Sequence, residues 1–159
     1  MTVRIRDEDR GFKRIIRAML QADDAEVSIG VQEPEGDQDR GGITMAGIAT
    51  VHEFGAPSVN IPERSFIRST VDENRQKYAR LFDRSGLAAA RGKQAVGKLF
   101  VAGEIVRADI VKKIRKGISP PLKNPGNKRD SKGKFLKQRR PLIDTGILLG
   151  SITTKVTGR

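Results

Sequence analysis

The stretch 93–116 constrains this chain more than any other. Val96, Leu99, Phe100, Gly103, Val106, Ile110 and Ile114 recur at helical spacing and fall on one apolar stripe. Gly117 offers a C-terminal stop, and Pro120-Pro121 forbids the helix from continuing. At ~1.5 Å per residue such a helix is about 36 Å long. A single stripe of that length must be buried against other elements of the same domain.

The remaining pattern supplies those elements. Phe12, Ile15, Ile16, Met19 and Leu20 predict an amphipathic helix over 8–22, with Asp7, Glu8 and Asp9 at its positive end. Val27, Ile29 and Val31 alternate as a half-buried strand, and 152–156 (Ile-Thr-Thr-Lys-Val) has the β-branched character of its partner. Between 32 and 42 the chain is polar and rich in breakers, so an exposed loop is expected. A short helix follows at 44–54, with Thr44 as N-cap, Met45, Ile48 and Val51 or His52 inward, and Gly55 as its stop. Ile67, Val71, Tyr78, Leu81 and Phe82 predict one further helix ending near Ser85-Gly86. Leu142 to Leu149 reads as a brief turn or helical bend that Asp144 or Thr145 can cap. The expected fold is therefore α+β over a single domain, 1–159: a small antiparallel sheet packed with several helices, one of them long (about 93–116), and an extended basic arm.

Charge is distributed unevenly. Of 159 residues, 31 are Lys or Arg and 19 are Asp or Glu, a net of +12. Residues 91–140 hold sixteen basic and three acidic side chains, +13, so the rest of the chain sums to −1. Within 118–141 all periodicity is lost, and eight basic residues stand against one acid. That segment has little to bury against the entropy of ordering, and a mobile arm is expected. Such asymmetry points to nucleic acid or to an acidic protein surface. The candidate contact residues are Lys123, Lys128, Arg129, Lys132, Lys134, Lys137, Arg139 and Arg140. The absence of cysteine excludes disulfides and thiolate chemistry. With no apolar leader at the N-terminus and no apolar run of ~18 residues, a soluble intracellular domain with no membrane partner is expected.

The sequence carries no recognisable catalytic or cofactor motif. His52 is the only histidine, so no multi-histidine metal site can form, and a second histidine four positions after it is replaced by Ala56. No serine has a G-x-S-x-G context. Gly126 to Phe135 superficially resembles a phosphate loop, but its glycines are wrongly spaced and Phe135 stands where Ser or Thr would bind magnesium. The carboxylates of 33–39 lack the alternation and terminal Glu of a calcium loop. A single aromatic, Phe135, lies in the basic loop, so contact with nucleic acid would be through the backbone only. No enzyme activity and no cofactor are expected.

Two patterns carry a family resemblance. The first is Val51-His52-Glu53-Phe54-Gly55 followed by Ile61-Pro62-Glu63-Arg64-Ser65-Phe66-Ile67-Arg68. The second is Ser119-Pro120-Pro121-Leu122, a basic stretch, then Pro141-Leu142-Ile143-Asp144-Thr145-Gly146-Ile147-Leu148 and Ser151-Ile152. In this order they resemble the neck or tail-completion proteins of tailed bacteriophages, also called virion morphogenesis proteins, and a broader minor tail-protein family. The resemblance spans about 44–156, and it departs at Ser65, where the family more often has proline. It implies a structural virion protein of the head–tail connector, made in the host cytoplasm. Six or twelve copies would form a cyclic ring around the DNA path. Portal or head-completion proteins and tail-terminator or tail-tube proteins would be its neighbours, with non-specific contact to DNA in the channel. In the motifs themselves, Phe54 is expected to be buried and Gly55 to permit positive φ. The alternative is a free nucleic-acid-binding module that uses the basic 91–140 segment.

Overall fold

The computed structural model describes residues 11–23, 25–39, 41–91, 95–122, 142 and 146–157. In chain order the elements are α1 (Phe12–Asp23), β1 (Glu26–Val31), α2 (Met45–Phe54), α3 (Arg68–Glu73), α4 (Arg75–Ala90), α5 (Ala95–Lys116), α6 (Ile147–Gly150) and β2 (Ile152–Thr157). Short 3-10 turns at Glu35–Asp37 and Pro57–Val59 flank α2. The fold is α+β, as the sequence predicts.

The two strands pair antiparallel, with Val27 opposite Val156, Ile29 opposite Thr154 and Val31 opposite Ile152. Those residues share one face, because strand side chains alternate with period two, and that face lies on α5. Contact is close at Gly103. A Cβ there would lie 2.5 Å from Thr154 Cγ2 and 3.0 Å from Val27 Cγ1. Antiparallel to α5 run α3 and α4: the Tyr78 hydroxyl donates to Asp109 at 2.9 Å, and Lys113 donates to Glu73 at 2.6 Å. Phe66, Ile110, Ile114 and Ile152 are almost wholly buried at the centre, joined by Met45, Tyr78, Val106, Ile118 and Leu148. The stripe of 93–116 is thus the spine of the core through Gly103, Val106, Ile110 and Ile114. At its N-terminal end Val96 and Phe100 are exposed.

Several expectations need correction. The helix expected from Ile67 to Gly86 is two helices, broken at Asn74. The Asn74 side chain donates to the Thr70 carbonyl at 2.9 Å while its own N–H reaches Thr70 and Val71. A short amide side chain that competes for a carbonyl of the preceding turn marks the helix end there. Helix α4 then continues past Ser85-Gly86 to Ala90, with Ser85 buried and its hydroxyl turned back to the Leu81 carbonyl. The loop at 32–42 is exposed only in part: Gly36 is buried in its 3-10 turn. The arm expected to be mobile from 118 is anchored at its root, since Ile118 belongs to the core. The Asp144 or Thr145 cap lies outside the described residues; α6 is preceded by Gly146 at φ +73°.

Helix α1 forms, but its apolar stripe does not face inward. It meets α4 and α5 through Ala18, with Ile15 half-buried, whereas Phe12 is 68% and Leu20 61% exposed. The small Ala18 side chain permits close approach and turns the large residues outward.

Gly103→Ala tests the spine. Helix propensity favours Ala by ~1 kcal/mol, while overpacking against Thr154 and Val27 costs about 1–3 kcal/mol. Chemical denaturation should show a net loss; a gain in stability would place α5 farther from the sheet than described.

Candidate functional site

Residues of the first of the two resemblance patterns converge on one buried carboxylate. In α2 the buried positions are Met45, Ala49 and Glu53, spaced four apart on one face. Thr44 caps the helix as expected, its hydroxyl accepting from Gly47 N–H at 3.1 Å. Glu53 occupies the inward position expected for Val51 or His52, and it is only 6% exposed. Phe54, expected to be buried, is 62% exposed. Gly55 then turns the chain at φ +76°, where a Cβ would lie 2.8 Å from Glu63 N. A short bridge pairs Ala56 with Ile61, Ala56 N–H donating to Ile61 O at 2.8 Å and Ile61 N–H to Ala56 O at 3.1 Å. The chain is thereby brought back beneath α2.

There the first N–H groups of α3 have no intrahelical acceptor, and Glu53 supplies one. Its Oε2 accepts from Phe66 N–H at 2.8 Å and Ile67 N–H at 3.0 Å, and its Oε1 from Arg68 N–H at 2.8 Å and the Ser65 hydroxyl at 2.7 Å. Ser65, the departure from the resembled pattern, contributes a donor that proline lacks. Burial pushes the Glu53 carboxyl up, but bonds from Ile67, Ser65, Arg68 and Phe66 outweigh it and hold the group below its ordinary range. A carboxylate so engaged serves as a structural anion at the positive end of a helix and is poorly suited to shuttling protons.

Arg64 makes the second connection. It is 5% exposed, and its N–H donates to the His52 carbonyl at 2.8 Å. Its guanidinium Nε donates to the Pro120 carbonyl at 2.8 Å, with a longer contact of 3.5 Å from Nη2 to Pro121. The His52-Glu53-Phe54-Gly55, Glu63-to-Arg68 and Ser119-to-Leu122 motifs are therefore one bonded junction. His52 takes part through its backbone; burial, then the Arg64 charge, lowers its imidazole pKa. Its Nδ1 is buried with no hydrogen-bond partner among the described residues.

Beside the junction an open groove of about 310 Å³ is lined by Val31, Ala46, Ala49, Thr50, Phe54 and Ile67, with Glu53 and Arg68 at its polar end. The Arg68 guanidinium lies 5.8 Å from the Phe54 ring centroid and also pairs with Glu63. Among the described residues no group of three or more His, Cys, Asp or Glu could hold a metal ion, and no helix is long and apolar enough to cross a membrane. The contact candidates Lys123, Lys128, Arg129, Lys132, Lys134, Lys137, Arg139 and Arg140 lie outside the described residues; the junction fixes the chain immediately before them.

Glu53→Gln replaces one acceptor by an NH2 group facing backbone donors, and should cost roughly 2–4 kcal/mol in denaturant unfolding. The pH dependence has a defined sign. Both groups have folded-state pKa values below their ordinary ones, so both contribute stability at higher pH that is lost on acidification. Loss begins below the ordinary imidazole value of 6.5 for His52 and below 4.5 for Glu53. Glu53→Gln should flatten the lower step alone; an unchanged acid profile would show that Glu53 is not held as a buried anion.

Comparison of the chain with protein-family models, with curated proteins and with solved structures finds no significant match.

Proposed function

We propose that this chain is a structural virion protein of the head–tail connector of a tailed bacteriophage, a neck or tail-completion protein whose copies form a ring around the DNA path. One observation supports the reading most: three of the motifs that carry the resemblance, at 51–55, 61–68 and 119–122, are bonded to one another through Glu53 and Arg64. Residues that merely happened to match a pattern would have no reason to share one junction. The best-ordered polar site is a folding device, consistent with a protein whose work is assembly.

In this reading the junction anchors the root of the basic arm at Pro120-Pro121 and the arm reaches acidic surfaces of neighbouring connector proteins. Complementary charge there gives steering and register more than affinity. An arm directed at the channel would instead hold phosphate, with salt-dependent drag on DNA exit.

Imaging purified particles by electron microscopy should place several copies of the chain as a closed ring between head and tail. A single copy, or an open filament, would contradict the ring. Lys132→Glu combined with Lys134→Glu should give filled heads that fail to join tails. Normal joining with abnormal retention or leakage of DNA would place the arm on the channel. The nucleic-acid module reading rests on the +13 segment; a particle-free chain that binds DNA with steep salt dependence and is missing from virions would favour it.

A further inference from the structure

The ring reading leaves open which surfaces of adjacent copies meet, and two features, helix α1 and the groove that borders the Glu53 junction, answer each other. Helix α1 presents Phe12, Ile16, Met19 and Leu20 as an exposed apolar ridge, with the exposed Arg17 flanking it on the Leu20 side. The groove between β1 and α2 is apolar along Val31, Ala46 and Ala49. Its wall is continuous with an acidic rim. In the 3-10 turn Glu35–Asp37, a Cβ at Gly36 would lie 3.5 Å from both Ala46 Cβ and Val31 Cγ1, so the turn packs directly on the groove. That turn carries Glu35 and Asp37, and Glu33 precedes it.

We infer that copies of this chain associate head to tail, the α1 ridge of one seating in the β1–α2 groove of the next, with Arg17 against the acidic rim. The inference deepens the ring reading and rests on it. Geometry rules out the same contact within one copy. Helix α1 leads into the start of β1 and the acidic turn follows its end, and a strand of that length separates them by roughly 20 Å. Charge rules against the symmetric alternatives. Ridge on ridge would bring Arg17 toward its counterpart in the other copy, and groove on groove would oppose the carboxylates of the two rims. Head to tail instead pairs Arg17 with the acidic rim, away from Arg68 at the groove's other end. A contact between two different patches is heterologous, and a heterologous contact closes into a ring when its rotation allows. It also accounts for α1, whose stripe has the strength of a core helix and yet stays open in the single copy.

The chain has no cysteine, so single thiols report cleanly. Full-length Ile16→Cys and Thr50→Cys are mixed in equal amounts and treated with a short bis-maleimide; Thr50 is an exposed residue of the groove. The mixed dimer should exceed either homotypic dimer by about tenfold, the ratio that ~1.4 kcal/mol of contact preference produces. Its yield should fall as added salt shortens the screening length. Arg17→Glu in the ridge copy should lower the mixed product, and Asp37→Arg in the groove copy should restore it. Excess Ile16–Ile16 product, equal yields of all three dimers, or no rescue by Asp37→Arg would overturn the pairing. The same cross-linking in purified particles separates the two levels of the account. A ring that gives no mixed product defeats the pairing alone, and particles without a ring of this chain defeat both.

Discussion

Burying a carboxylate costs several kcal/mol unless other donors replace its water. Glu53 meets that cost with four donors drawn from one short stretch, Ser65 to Arg68. The arrangement fixes two things at once: the C-terminal end of α2 is held down, and the start of α3 gains the capping anion its sequence does not provide. Phe66 follows, driven into the centre of the core as the neighbour of the bonded amides. Arg64, immediately before, is left facing Pro120 and Pro121 and ties down the segment beyond α5. Removing the carboxylate would release three segments together, because each depends on the position of the others.

Much of the fold was legible in the sequence because it follows from periodicity. The stripe from Gly103 to Ile114, the alternation of Val27, Ile29 and Val31, and the β-branched run at 152–156 are determined by burial, and burial is what hydropathy reports. The Thr44 cap and the Gly55 turn were legible for a local reason, being set by chemistry within a few residues. Glu53 was not, since a charged residue on a buried face opposes the hydropathy rule. The available signal was the spacing of Met45 and Ala49, which continues onto Glu53 and not onto Phe54. The break at Asn74 was hidden for the opposite reason: the apolar period runs on through it, while a single side chain turns back onto the Thr70 carbonyl where the helix ends. Helix α1 was recognised from its stripe, but nothing in a stripe says whether the surface that covers it belongs to the same copy.

Electrostatics divides the molecule along the same lines. Within the core region charges are paired locally, as in Lys77 with Asp109, Arg107 with Glu104 and Lys113 with Glu73. Tyr78 donates to the same Asp109, and burial, followed by that hydrogen bond and the carboxylate charge, raises its pKa. The densest positive charge lies in the sequence beyond the junction, where Lys123 to Arg140 set eight basic residues against one acid. A bonded platform that ends abruptly in a more densely cationic segment is suited to presenting that segment to something else. This is the physical content of the assembly reading, independent of any resemblance.

The organising claim is that Glu53 holds the start of α3 as firmly as the core itself, and amide hydrogen exchange measures this directly. The Phe66, Ile67 and Arg68 amides should exchange in the wild-type chain only through global unfolding, at the same free energy as Ile110 and Ile114. In Glu53→Gln they should open by a local route, faster than the loss of global stability reported by Ile110 and Ile114. Wild-type exchange at those three amides as fast as in the exposed turn at Pro57–Val59, or acceleration in the variant only in step with the core, would contradict the account.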